Sequence, residues 1–145
     1  MAAAVAFAEE GPTRDEYVSQ VEPICKSNAA ANKKILKGAR TKVRHGQLRQ
    51  ASGQFFRAST AFGKTVGKIE RVARPATDDA RLQKWFKFLR IVQEKLRMIG
   101  KALKEENKVK ASHESIRAER SANAANNVGS IFKFHECHLS PSRFS

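Results

Sequence analysis

Acidic residues are missing from a long part of this sequence. The chain carries 28 lysine and arginine residues against 14 aspartates and glutamates, a formal net charge of +14, and no acidic residue lies between Glu22 and Glu70. A positively charged surface attracts polyanions such as nucleic acid, anionic lipid headgroups or acidic cell-wall polymers, and its charge alone does not select among them. The alternative is that these cations form ordinary solvated helix faces. The predicted anion-binding residues are Lys33, Lys34, Lys37, Arg40, Lys42, Arg44 and Arg49.

Residues that interrupt helices are also scarce. The 145 residues include only 8 glycines and 4 prolines. The sequence also has only 1 tyrosine and 1 tryptophan, and the alternation of β-branched and polar residues expected of strands is missing. Lysine, arginine, alanine, glutamine and glutamate dominate, and these residues favour helix. A chain of this length can bury a core without splitting into domains. The composition therefore predicts one all-α domain.

The sequence has no apolar run close to the ~20 residues of a membrane span. Residues 2–8 are small or apolar, and Ala6 and Ala8 fit the A-x-A pattern that signal peptidase recognises. A basic leader and a longer apolar stretch are absent, so we interpret 1–8 as the end of a signal peptide and 9–13 as a loop. The alternative is an ordinary apolar tail. A signal peptide would place the chain outside the cytoplasm.

Only two cysteines are present, Cys25 and Cys137. In an oxidising compartment, an even cysteine count indicates a disulfide. If the chain is exported, the bond would close a loop of about 112 residues and would stabilise the fold by ~4–5 kcal/mol in the chain-entropy model. The prediction of a disulfide therefore depends on the prediction of export.

Periodic apolar residues predict four helices. Thr13 and Glu16 form a capping box that starts the first helix near residue 14, and Gly46 is expected to end it in the mid-forties. The second helix is predicted from about 47 to 73, with Pro75 as its stop. Its apolar positions, in steps of three and four, are Leu48, Ala51, Phe55, Ala58, Phe62, Val66, Ile69 and Val72.

The third predicted helix, capped by Thr77 or Asp78, has the most regular pattern. The fourth, from about 106 to 131, has a thin, small-residue stripe of Val109, Ile116, Ala122, Ala125, Val128 and Ile131 or Phe132. Four amphipathic helices with short connections predict an antiparallel up-down-up-down four-helix bundle over 14–132, with the first and fourth helices as neighbours. Residues 133–145 are predicted to form an extended C-terminal tail, which a bond between Cys137 and Cys25 would attach to the first helix. The apolar seam of the third helix is Leu82, Trp85, Leu89, Val92, Leu96, Ile99 and Leu103.

The stretch "HECH" is the part of the sequence that most resembles a reactive site. His135, Cys137 and His138, with Glu136 and His113 as extra ligands, are residue types that zinc or copper accepts. Adjacent residues of an extended tail point to opposite sides, however, and no second cluster has metal-ligand spacing. A catalytic thiol would need a lowered pKa and an oriented base. We therefore predict no metal, no cofactor and no enzymatic activity.

Asparagines are concentrated in two places. Asn28 and Asn32 lie one turn apart on the inner line of the first helix, and the fourth helix has a matching group. Amides on facing helices can bond to each other and fix register, as buried asparagine does in coiled coils. They could instead line a small polar pocket near the disulfide. The asparagines of the fourth helix are Asn123, Asn126 and Asn127.

Three stretches, "RDEYVSQVEPICKSNAAANKKILKG", "ARLQKWFKFL" and "NAANN" followed by "IFKFHECHLSPSRF", resemble a family of small secreted actinobacterial proteins of unknown function. The resemblance covers nearly the whole chain after 1–8. It implies an extracytoplasmic helical protein with a Cys25–Cys137 pair, and it implies no activity. In that family, the positions beside the last cysteine are often basic or aromatic, so His135 and His138 depart from its pattern.

Three functional hypotheses follow from these features. The first is a secreted, non-enzymatic bundle whose basic face contacts anionic cell-envelope polymers or lipid headgroups. The second is a cytoplasmic, histone-like nucleic-acid-binding protein, which requires that 1–8 is not part of a signal peptide. The third is an extracytoplasmic protein that binds a small ligand or a metal through its asparagines or the tail histidines. In each case we expect a monomer without a transmembrane segment.

Overall fold

The structure, a computed structural model, describes residues 11–140 and contains helices but no strand in that range. The predicted signal-peptide remnant at 1–8 lies outside the described residues. The all-α class and the helical bundle are confirmed, and no helix within 11–140 is long and apolar enough to cross a membrane. The helices are α1 (Arg14–Ile35), α2 (Ala39–Arg44), α3 (Leu48–Glu70), α4 (Asp79–Lys104) and α5 (Lys108–Gly129), with 3₁₀ turns at Ala76–Asp78 and Ser130–Phe132.

Helix α1 begins as predicted and ends early. The Thr13 hydroxyl accepts a hydrogen bond from the Glu16 amide, and the Glu16 carboxylate accepts one from the Thr13 amide, which completes the capping box. The prediction of one helix into the mid-forties is wrong, because Gly38 adopts a left-handed φ of 73° that separates α1 from α2. Gly46, at φ 76°, then follows α2. Glycine adopts this conformation without the steric penalty that other residues meet.

The start of α1 is attached to the turn before α4. The Arg14 guanidinium donates two hydrogen bonds, of 2.9 and 2.8 Å, to the buried Asp78 carboxylate. These hydrogen bonds hold the pKa of Asp78 below its usual value. Asp78 was predicted as a helix cap, but its side chain makes no capping bond. It serves instead as an ion-pair partner between two parts of the chain that are distant in sequence.

Helices α3 and α4 pack closely along their buried faces. All seven residues of the predicted α4 seam are at most 2% exposed. Two buried serines of α3 also donate hydrogen bonds to carbonyl groups of α4, from Ser52 to Gly100 at 2.7 Å and from Ser59 to Gln93 at 2.8 Å. Gly100 permits close contact, since a Cβ there would lie 3.3 Å from the Phe56 ring.

Helix α5 buries small residues rather than large ones. Ala118, Ala122 and Ala125 are fully buried, whereas Val109 is 68% exposed and Ile116 is 43% exposed. The predicted stripe is therefore confirmed at Ala122 and Ala125 and wrong at Val109 and Ile116. The alanine face lets α5 lie close to α4. The two helices are joined by the short connection 105–107 and so run in opposite directions, as in an αα-hairpin.

The helix pairing differs from the prediction on one side of the bundle. Helix α1 packs mainly against α3, and its other main contact is the turn Ser130–Phe132 that follows α5. The first and last long helices were expected to be neighbours. They face each other across a cleft instead, and the C-terminal tail spans one end of that cleft.

Candidate functional site

A cleft of about 730 Å³ lies between α1 and α5. Helices α3 and α4 form its floor, α2 lies at one end, and tail residues 135–140 lie at the other. Ligand sites in proteins usually enclose about 300–1,000 Å³ and are lined mainly by apolar side chains with a few polar groups. Apart from Thr65, the floor side chains are apolar: Phe55, Phe62, Val66, Ile69, Trp85, Leu89, Ile99 and Leu103.

Polar groups also line the cleft, on its floor and on both walls. Thr65 of α3 donates a 3.1 Å hydrogen bond to the side-chain oxygen of Asn28 on α1. One turn further along α1, the side-chain oxygen of Asn32 is buried and has no hydrogen-bond partner among the described residues. An unpaired buried acceptor destabilises a fold by about 1–3 kcal/mol. Asn32 can therefore accept a hydrogen bond from a molecule in the cleft. On the α5 wall, Ser112 and Ser115 are further polar groups.

Positive charge is concentrated at the α2 end of the cleft. Lys33, Arg40 and Lys108 line this end. Lys33 and Lys108 are both exposed, and neither forms an ion pair with another described residue. The acidic lining residues, Glu119 and Glu136, lie nearer the tail end. The cleft is therefore electrostatically asymmetric along its length.

The tail end of the cleft is tied to α1 by the two cysteines. The sulfur atoms of Cys25 and Cys137 lie 1.99 Å apart, which is the distance of a disulfide bond, and the Cα atoms are 5.0 Å apart. Both residues are buried. The predicted partners are thus at bonding distance, and the bond links positions separated by 112 residues in sequence.

Glu22 is the functional-site residue that sequence reasoning missed. Its carboxylate accepts hydrogen bonds from three consecutive tail amides, those of His135 at 3.1 Å, Glu136 at 2.7 Å and Cys137 at 3.4 Å. A carboxylate that accepts backbone N–H bonds forms charge-assisted hydrogen bonds, which are stronger than neutral ones. No local pattern could have identified Glu22, because its partners lie more than a hundred residues away.

Helix α5 holds the tail from the opposite wall. The Asn126 side chain donates to the carbonyl of Leu139 and accepts from its amide, both at 2.8 Å. Between α5 and the disulfide, Phe134 stacks on Trp85 with ring centroids 4.9 Å apart and on Phe132 at 5.2 Å. The tail is thus bound to both walls of the cleft and to its floor.

The predicted asparagine seam between the first and last helices is wrong. Asn28 is bonded to α3, Asn126 is bonded to the tail, and Asn32 has no partner in 11–140. Asn123 and Asn127 are exposed. The physical reason is that the cleft separates α1 from α5, so that their amides do not meet. The alternative expectation was a small polar pocket near the disulfide; Asn28 and Asn32 do line a cleft there, but that cleft is large and mainly apolar.

The side chains of the "HECH" stretch surround the disulfide without forming a cluster. His135, Glu136 and His138 are exposed, and His113 is exposed on α5. Within the described residues, no group of three or more His, Cys, Asp or Glu side chains could hold a metal ion. Cys137, when bonded to Cys25, has no thiol to serve as ligand or nucleophile.

The predicted anion-binding residues lie around the corner formed by α1, α2 and the start of α3. All are exposed except Lys42, which is half-buried and donates a 3.0 Å hydrogen bond to Gln54. Gln54 in turn donates to the carbonyls of Ile35 and Lys37 and so fixes the corner. Lys42 therefore supports the fold, and the other members remain candidates: Lys33, Lys34, Lys37, Arg40, Arg44 and Arg49.

Comparison with protein-family models, with curated proteins and with solved structures finds no match to this chain.

Proposed function

We propose that the protein is a non-enzymatic, extracytoplasmic binding protein that holds a small, largely apolar ligand in the cleft between α1 and α5. The observation that carries this proposal is the cleft of about 730 Å³ with its largely apolar floor. If the bundle were selected only for stability, α1 would be expected to close onto α5. Close packing adds dispersion contacts and removes apolar surface from water, and both effects stabilise the fold. Here the two helices stay apart, and the tail is fixed across one end.

An extracytoplasmic location is supported by the cysteine pair. Disulfides persist in oxidising compartments and are rare where thiols are kept reduced. Cys25 and Cys137 are at bonding distance, and the A-x-A pattern at Ala6 and Ala8 is consistent with an exported chain. The resemblance to small secreted proteins points in the same direction.

The ligand-binding proposal is tested by blocking the cleft from one wall. Ala29 of α1 lines the cleft, whereas the adjacent Ala30 is exposed and does not. We expect the neutral fluorescent probe N-phenyl-1-naphthylamine to bind the protein, and Ala29→Phe to weaken binding by roughly tenfold or more because the new ring fills the cleft. Ala30→Phe, the matched control, should bind as the unaltered protein does. Equal binding by both variants, or no binding of the probe at all, would overturn the proposal.

A second candidate function is binding to anionic surfaces through the corner of α1 and α2. It is favoured by one observation: Lys34, Lys37 and Arg44 are exposed there, and none forms an ion pair with a described residue. Cations of this kind attract anionic lipid headgroups or polymers, and the attraction weakens with salt.

This second candidate function is tested by removing three positive charges from the corner of α1 and α2 and, in a control variant, from α4. Changing Lys34, Lys37 and Arg44 to Gln should reduce cosedimentation with phosphatidylglycerol vesicles at moderate salt. Changing the exposed α4 residues Lys84, Lys87 and Lys101 to Gln alters the net charge equally and should have a smaller effect. Equal losses would show that only net charge matters. Binding to duplex DNA without binding to vesicles would support the nucleic-acid alternative instead.

A further inference from the structure

We propose that the ligand of the cleft is a single-chain amphiphile with an anionic head group, a carboxylate or a phosphate. The head lies at the α2 end between Lys33 and Lys108, and the apolar chain extends along the floor towards Trp85 and the disulfide. This inference rests on the proposed function, because it names the chemistry of the ligand that the cleft holds.

The shape of the cleft favours one extended apolar chain. On α1 and the residue that follows it, the lining residues run from Cys25 to Leu36, a distance of about 16 Å at 1.5 Å per residue of helix. A cleft that extends over several turns of helix accommodates a linear chain along its length better than a globular or polycyclic molecule.

The charges along the cleft set the orientation and the sign of the head group. Lys33 lies on the α1 wall and Lys108 on the α5 wall, so an anion at this end contacts a cation from each side. The lining residues that would repel an anion, Glu119 and Glu136, lie towards the tail end. Lysine binds carboxylate and phosphate as a compact point charge, so the same pair accepts either group.

Two further polar groups of the cleft lie close to the two lysines, where the first atoms of the chain next to the head group would be. The unpaired Asn32 oxygen lies one residue before Lys33 on α1, and Ser112 lies one turn after Lys108 on α5. A protonated group near the head, such as a hydroxyl or an amide, can donate to Asn32. Ile116, 43% exposed on the rim of the cleft, is covered by a bound chain and gains burial on binding.

The test measures how well four dodecyl compounds displace N-phenyl-1-naphthylamine from the full chain. Dodecanoate and dodecyl phosphate should displace the probe at concentrations roughly tenfold lower than dodecanol or dodecyltrimethylammonium, because two exposed cations attract only the anionic head groups. The ratio between the two anions shows whether the natural head is a carboxylate or a phosphate. Raising the salt concentration should reduce the advantage of the anions and leave dodecanol unchanged.

Two pairs of substitutions locate the head group. Changing both Lys33 and Lys108 to Gln should remove the tenfold advantage of dodecanoate and leave the affinity for dodecanol unaltered. Changing Lys64 and Lys68 to Gln is the matched control, since both are exposed on α3 outside the cleft. If the control pair removes the advantage equally, the head is not held at the α2 end and the inference is wrong.

The remaining outcomes are also decisive. Probe binding with no preference among the four compounds would overturn the head-group inference while the proposed ligand-binding function stands. No probe binding would remove both. A further variant, Phe144→Ala, checks the other candidate occupant, which is the segment 141–145 of the chain itself. If dodecanoate binds only to this variant, then that segment competes for the cleft and the proposal of an amphiphilic ligand for the unaltered protein is overturned.

Discussion

Two sides of this bundle are held together by different means. Between α3 and α4, serine hydroxyls bond to carbonyl groups of the facing helix and a glycine admits an aromatic ring, so the two backbones lie close together. Between α1 and α5, a cleft of about 730 Å³ remains, and the helices are joined through the tail. Close packing therefore supplies the stability of one side, while a covalent bond and a few strong hydrogen bonds hold the other side at a fixed separation.

This difference explains how a small helical protein keeps a cavity without losing its fold. An open seam loses the burial that a closed one gains, and the loss must be offset elsewhere. The contacts of the tail compensate for this loss. They are the disulfide, the hydrogen bonds from three tail amides to Glu22, and the two hydrogen bonds between Asn126 and Leu139. The comparison predicts that substitutions in these tail contacts affect the α1–α5 side first, whereas substitutions between α3 and α4 weaken the whole bundle.

The largest expected effect is the loss of the disulfide. Changing Cys25 and Cys137 to Ala removes a link across 112 residues and should lower the free energy of unfolding by ~4–5 kcal/mol in the chain-entropy model. The midpoint of urea unfolding measures this change. Far-UV circular dichroism of the folded variant should retain its helical signal, because α3 and α4 do not depend on the link. A loss below about 1 kcal/mol would show that packing alone holds the open side.

A large core deletion on the closed side should have the next largest effect. Leu96 of α4 is fully buried, so Leu96→Ala should lower the free energy of unfolding by about 2–5 kcal/mol. Leu36 is the matched control, because it is only half-buried and lines the cleft. Leu36→Ala should therefore produce a clearly smaller change in urea unfolding. Equal changes at the two positions would contradict the contrast between a closed and an open side.

Removal of the Glu22 charge should have a moderate effect. Glu22→Gln keeps the shape of the side chain and weakens three hydrogen bonds to tail amides. We expect a loss of about 1 kcal/mol in unfolding free energy, since partly exposed charge-assisted bonds contribute less than buried ones. Amide hydrogen exchange at 135–137 should become faster. Glu136→Gln removes the same charge from an exposed side chain and should leave both measurements unchanged.

The smallest expected effect depends on pH. The Arg14 guanidinium lowers the pKa of Asp78 by hydrogen bonding, so the pair stabilises the fold above the unfolded aspartate pKa of about 3.9. This stabilisation is lost as the pH falls through the lower, folded pKa. Arg14→Gln should therefore destabilise the protein at neutral pH and much less under strongly acidic conditions. Urea unfolding at the two pH values measures the difference, and a constant difference would contradict it. Lys84→Gln is the control.

The sequence predicted best those features that depend on local periodicity. The α4 seam from Leu82 to Leu103 was predicted residue by residue, because regular steps of three and four place every apolar side chain on one face. The α1 capping box was predicted for a similar reason, since its two residues lie three positions apart. The end of α1 was missed, although Gly38 offered the same signal as Gly46.

Features that depend on the distance between helices were not predictable. On α5 the predicted Ala122 and Ala125 are buried, but apolarity also assigned Val109 and Ile116 to the core. The distance to α4 decides which of these positions is covered. The cleft has the same origin, since no pattern in α1 or α5 states that the two helices stay apart. The cysteine pairing was an exception: only two cysteines exist, so a single pairing was available within the chain.

The hydrogen bonds of Glu22 have a consequence for the tail side chains. Glu22 recognises the main chain of residues 135–137, and the main chain presents the same N–H groups whatever side chains are attached, proline excepted. The anchoring of the tail is thus independent of the identities of His135 and Glu136, both of which line the end of the cleft. Substitutions at these two positions can alter what that end of the cleft accepts while the tail remains in place.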